Sequence, residues 1–130
     1  MSVRIVILTH GEIGQVMVQH AETIMAGEQT VQPVVIGINQ SEVQALDRQS
    51  VRKRITALDR GAGVLVLTDL YGASAANCMG NTTEDKPGYR MVSGLNLPML
   101  LRVMNYSDRA LDELTDIAIE GGRKGICEPS

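Results

Sequence analysis

The chain contains no tryptophan and no phenylalanine, and it has only three tyrosines in 130 residues. Stacking platforms for unpaired bases are therefore excluded. The core must be filled by Val, Ile, Leu, Ala and the seven methionines. Cysteine is almost as scarce. Cys78 and Cys127 lie far apart, with no Cys-x-x-Cys spacing and no nearby histidine, so no metal site and no redox motif is expected and both are read as reduced thiols. Positive charge is not in excess: 12 Lys and Arg stand against 15 Asp and Glu, a net charge of -3. Nothing general draws such a chain to phosphate backbones, and nucleic acid is not an expected partner. No apolar run approaches the roughly 20 residues a membrane-spanning helix needs. Met1-Ser2 leads straight into a strand pattern, without the order of a secretory signal. The expectation is a cytoplasmic protein with no direct membrane insertion.

What is present has the balance of a folded chain, with 44% hydrophobic and 21% charged residues. The length suits a single domain over residues 1–130, enough for one three-layer core and too short for two. Four β-rich runs, Val3 to Leu8, Val31 to Ile38, Gly63 to Thr68 and Tyr89 to Gly94, alternate with helix-length stretches. Ile5-Val6-Ile7-Leu8 and Val64-Leu65-Val66-Leu67 are continuously apolar, as strands covered on both faces are. The pattern predicts an α/β fold, a three-layer sandwich around a central, mainly parallel sheet of order 2-1-3-4.

Helices are predicted over Ile13 to Ala26, stopped by Gly27, and from Ser41 to Arg60-Gly61. A short one is expected at Ala75 to Met79, followed by a polar loop from Thr82 to Gly88. Another opens at Pro98, and a last runs from Asp108 to Glu120 with Gly121-Gly122 as its stop. On the first helix Ile13, Val16, Met17, His20, Ala21 and Ile24 share a face, which reads as the buried one, with His20 a hydrogen-bonded structural residue. The basic cluster Arg48, Arg52, Lys53 and Arg54 reads as a solvated helix face.

The chemistry-bearing residues sit at strand exits. His10 follows the first strand in Thr9-His10-Gly11, and Asp69 follows the third in Thr68-Asp69-Leu70-Tyr71-Gly72-Ala73-Ser74. With order 2-1-3-4 those exits are neighbours, where open α/β sheets form their ligand crevice. A carboxylate that accepts a hydrogen bond from one imidazole nitrogen fixes the tautomer and leaves the other nitrogen as a nucleophile. Helix amino termini after Gly11, Gly72 and Pro98 would hold an anion such as a phosphoryl group, with the Ser74 hydroxyl as a further donor. From position alone a plainer reading also stands, with His10 bonded to a loop and Asp69 capping a helix.

These residues, with Gly27-Glu28, Asp69 to Asn77, Gly94-Leu95-Asn96-Leu97-Pro98-Met99-Leu100 and Gly122-Arg123-x-Gly125, resemble the mannose-type enzyme IIA domains of the bacterial phosphoenolpyruvate-dependent sugar phosphotransferase system. The match spans nearly the whole chain in the family's order. The resemblance implies that His10 takes a phosphoryl group from the histidine phosphocarrier protein and passes it on for sugar uptake, with Asp69 orienting the ring. It places Gly11, Gly72, Ser74 and Asn96 around the phosphoryl group and implies no metal and no cofactor. It also implies a homodimer in which a short antiparallel strand at Lys124 to Cys127 is exchanged. No IIB unit follows within these residues, so a separate IIB protein is the expected acceptor. Glu12 departs from the family's usual residue and sets a carboxylate beside the incoming group. Rival readings are a regulatory phosphoprotein without transport, the phosphotransfer subunit of a dihydroxyacetone kinase, and a flavodoxin-like ligand module. The sugar is not written in these residues.

Overall fold

A computed structural model describes residues 2–27, 31–38, 48–69 and 88–130. The strands are β1 (Arg4–His10), β2 (Val34–Ile38), β3 (Val64–Thr68) and β4 (Tyr89–Ser93). The helices are α1 (Ile13–Met25), α2 (Arg48–Thr56), α3 (Leu97–Asn105) and α4 (Leu111–Lys124). All strand pairs are parallel and the sheet order is β2-β1-β3-β4.

The alternation of side chains along the inner strands divides the core in two. Ile5, Ile7, Leu65 and Leu67 point to one face, where Val18 and Ala21 of α1, Leu100 and Val103 of α3, and Leu114 and Ala118 of α4 cover them. Val6, Leu8, Val64 and Val66 point to the other, against Val51 and Ile55 of α2. Two covered faces are the reason that β1 and β3 read as unbroken apolar runs. The α/β architecture and the strand order are as the sequence implies.

Several boundaries differ. α1 ends one residue early because Ala26 adopts the left-handed conformation at φ 54 and its N–H donates to Glu22 O and Thr23 O. A β-carbon in that region costs about 1 kcal/mol that glycine avoids. Ala26→Gly is therefore expected to raise stability by about 1 kcal/mol, measured by urea titration at constant m.

α4 starts at Leu111, not at Asp108, because Ala110 is still extended. It also runs through Gly121-Gly122 to Lys124, where a stop was expected. Both glycines are buried: a Cβ on Gly121 would meet Arg102 Cγ at 2.7 Å, and one on Gly122 would meet Met99 Cε at 2.8 Å. They let α4 lie close on α3 and do not end it. Residues Ile126 to Ser130 are exposed and form no helix or strand within this chain. α3 begins at Leu97, with Asn96 as its cap and Pro98 in its first turn. The expected Ser41 start of α2, the helix at Ala75 to Met79, the loop from Thr82 and Cys78 lie outside the described residues.

The largest correction concerns α1. Its buried positions are Gly14, Val18 and Ala21, whereas Ile13, Val16 and Ile24 are exposed. His20 is exposed as well and has no buried structural role. Both faces of the helix are apolar at the helical period, and the one with the smaller side chains packs closer to the sheet.

Candidate functional site

β1 and β3 pair with Leu8 opposite Thr68, so their carboxyl ends release His10 and Asp69 side by side. The imidazole Nδ1 lies 2.8 Å from Asp69 Oδ2, and the main-chain N–H of His10 donates to the same oxygen at 3.1 Å. The histidine side chain is 38% exposed and the aspartate 15%. Burial pushes the Asp69 carboxyl up, but the hydrogen bonds from the His10 ring and main chain, together with the charge of the imidazolium, outweigh it and hold the carboxyl below its ordinary value of 3.8. An ionised carboxylate only accepts, so Nδ1 carries the hydrogen, and in the neutral ring Nε2 keeps its lone pair.

The turn that presents His10 is held from three sides. The buried hydroxyl of Thr9 accepts the Gly14 N–H at 2.8 Å, which satisfies one of the open donors at the start of α1. Gly11, at φ 47, turns the chain into the helix in a conformation that favours glycine. Its N–H donates to Ile38 O at 3.0 Å, which ties the turn to the end of β2. Gly37 supplies the space for this: a Cβ there would collide with the Gly11 carbonyl oxygen, and backbone has nowhere to go. Gly37→Ala is expected to cost about 1 to 3 kcal/mol in denaturant titration, with the His10 turn displaced from β2.

The other expected phosphoryl-binding residues fare differently. The Gly11 N–H is engaged by Ile38, so this donor is not open to a phosphoryl oxygen. Asn96 is occupied by the scaffold, since its Oδ1 accepts the Met99 N–H at 2.9 Å and its Nδ2 donates to Gly122 O at 3.0 Å. It caps α3 and joins it to the last turns of α4. Leu95 N–H donates to Thr68 O at 3.0 Å, which brings the start of α3 to the His10 end of the sheet. Gly72 and Ser74 lie outside the described residues. Among the described residues no group of three or more His, Cys, Asp or Glu side chains is placed to hold a metal ion, and no helix is long and apolar enough to cross a membrane.

Sequence reasoning missed the roles of Thr9, Gly14 and Gly37. Gly37 inside a β-branched strand was the available signal, since a glycine there marks a close backbone approach. The exposed ridge on α1 was hidden by its own regularity.

Residues 4–119 match the profile of the EIIA-man family, described as the PTS system fructose IIA component. The chain belongs to that family. It is 29% identical over 128 residues to the mannose-specific EIIAB component of Escherichia coli K12, an alignment that covers 97% of this chain and 39% of that protein. The component of the same name from Shigella flexneri matches to the same extent. This IIA chain thus spans well under half the length of those relatives. Among solved structures, the mannose/sorbose-specific IIA subunit of Enterococcus faecalis superposes with a TM-score of 0.75 at 22% identity, covering 100% of this chain and 96% of that one; it supports the fold. The EIIA component from Streptococcus agalactiae gives 0.73 at 26% identity, covering 97% and 96%.

Proposed function

We propose that this IIA component is a phosphoryl carrier of the sugar phosphotransferase system, charged at Nε2 of His10 by the histidine phosphocarrier protein and discharged to a IIB unit for sugar uptake. The observation that carries this reading is the 2.8 Å bond between His10 Nδ1 and Asp69, which leaves the opposite nitrogen basic in a half-open strand-end crevice. The Nε2 lone pair attacks the phosphorus of the donor's phosphohistidine from the side opposite its P–N bond. A new P–N bond forms as the old one breaks, and the released electron pair stays on the donor imidazole. The His10 ring takes on positive charge as it gives up its lone pair, and the adjacent carboxylate compensates it. Such a transfer needs mainly alignment and charge stabilisation.

This reading gives Asp69 the part of a positioning residue. Gly72 and Ser74 remain proposed phosphoryl contacts, from the family resemblance. The same reading includes a cytoplasmic location and a homodimer. The dimer is supported by β4 standing at a sheet edge, next to a groove of about 400 Å³ lined by Met91, Ser93, Ile119 and the exposed Ile126.

The test is incubation of the chain with phosphoenolpyruvate, enzyme I and the phosphocarrier protein. The expected product is one acid-labile, base-stable phosphate per chain, mapped to His10 and then lost on addition of a IIB protein. An unlabelled chain, or a label elsewhere, overturns the reading.

A further inference from the structure

Each of the two central strands carries a threonine just before a residue of the site, Thr9 before His10 and Thr68 before Asp69. Both threonines are fully buried and follow apolar runs. The Thr9 hydroxyl has a partner in the Gly14 N–H. Thr68 continues Val64-Leu65-Val66-Leu67 in a strand that is buried throughout, a place where valine would fill the same shape without a hydroxyl. Burying a hydroxyl disfavours folding unless a hydrogen bond replaces the one it gives up to water. Among the described residues the acceptor for the Thr68 hydroxyl is Asp69 Oδ1, at 3.5 Å.

That contact falls on the oxygen that His10 does not use. Oδ2 accepts both bonds from His10, from the ring Nδ1 at 2.8 Å and from the main-chain N–H at 3.1 Å. Asp69 stands one residue past the end of β3, outside the strand ladder, so its side chain needs a second anchor to hold one orientation. Thr68 is a rigid point from which to supply it. It pairs with Leu8 on one side and Ser93 on the other, and its carbonyl accepts the Leu95 N–H at 3.0 Å. A separation of 3.5 Å is long for a hydroxyl donor, as bonds within a site often are until the reacting group is bound.

We infer that Thr68 is a positioning residue for phosphoryl transfer: its hydroxyl holds Asp69 Oδ1, which keeps Oδ2 aimed at Nδ1 of His10 and the ring in the orientation that presents Nε2. The inference rests on the phosphoryl-carrier reading above and adds to it the group that fixes the carboxylate. Thr68 touches neither phosphorus nor the ring, and it acts only through Asp69.

Two variants separate the hydroxyl from the shape. Thr68→Val keeps the shape and removes the donor, whereas Thr68→Ser keeps the donor and removes a methyl group; unchanged far-UV circular dichroism verifies the fold of each. His10 phosphorylation is then followed against phosphocarrier concentration, and separately with phosphoramidate, a small donor that needs no protein docking. The expected result for Thr68→Val is a rate at saturation lowered about 10-fold, an unchanged KM for the phosphocarrier, and labelling by phosphoramidate slowed by the same factor. Thr68→Ser is expected to transfer at close to the wild-type rate. In an Asp69→Asn background Thr68→Val should cause no further loss, since the two changes break one chain of contacts. A wild-type rate in Thr68→Val overturns the inference while leaving His10 as the carrier. So does a loss confined to KM, a serine variant as slow as the valine one, or a loss of equal size with and without Asp69→Asn, each of which would reduce Thr68 to packing. No label on wild-type His10 from either donor overturns the carrier reading and this inference with it.

Discussion

His10→Ala is expected to abolish phosphorylation by the phosphocarrier protein, with transfer falling below detection and the fold retained. The ring sits at the last position of β1, is 38% exposed and contributes nothing to either apolar cluster, so its removal opens no core cavity. What it does remove is the proposed nucleophile. The only other histidine, His20, lies on the solvent side of α1, and no carboxylate among the described residues holds its ring as Asp69 holds that of His10. A His20→Ala variant tested beside it is expected to take up one phosphate per chain as wild type does. Retention of the label in His10→Ala, read by mass spectrometry of the intact chain under alkaline conditions, would move the acceptor elsewhere.

Much of this site is written in local sequence. The strand pattern from Val3 to Leu8 locates β1, which runs two residues further and ends at His10. The parallel order β2-β1-β3-β4 then makes β1 and β3 neighbours, and His10 and Asp69 share a crevice because each is the residue at or just past its strand end. The choice of helix face was not legible in the same way. On α1, Ile13, Val16, Met17 and Ile24 repeat as regularly as Gly14, Val18 and Ala21, and hydropathy favours the larger residues. Packing distance reverses the choice, since Gly14 lies against Ile7 and Thr9 so closely that a Cβ would sit 2.8 Å from each. The glycines at 121 and 122 misled for the same reason. In isolation they signal a helix end, but against Arg102 and Met99 they are the small residues that a close helix crossing requires. The functions of Gly11 and Asn96 were hidden by competition: both carry groups suited to a phosphoryl oxygen, and both spend them on the scaffold, one on Ile38 and the other on the ends of two helices.

Asp69→Asn is expected to slow phosphoryl transfer by about 10² to 10⁴ without unfolding the chain. The amide has the shape of the carboxylate but not its charge. Two effects combine. Asn offers both a carbonyl and an N–H, so it holds the ring in either tautomer, and the one with hydrogen on Nε2 has no lone pair for phosphorus. In the productive tautomer, the positive charge that develops on the ring no longer faces an anion at 2.8 Å. The loss should fall on the rate at saturation, with little change in KM for the phosphocarrier. Stability should respond to pH with a definite sign. Asp69 binds its proton more weakly when folded than unfolded, since its carboxyl is held below the ordinary value. Its contribution is therefore complete above the ordinary carboxylate range of about 4 and is lost as pH falls through the depressed folded value. Urea titrations of wild type and Asp69→Asn are expected to differ by a constant amount at neutral pH and to converge in acid. Curves that stay parallel down to the acid transition would mean that the His10 and Asp69 contact contributes nothing that depends on the charge of the carboxylate.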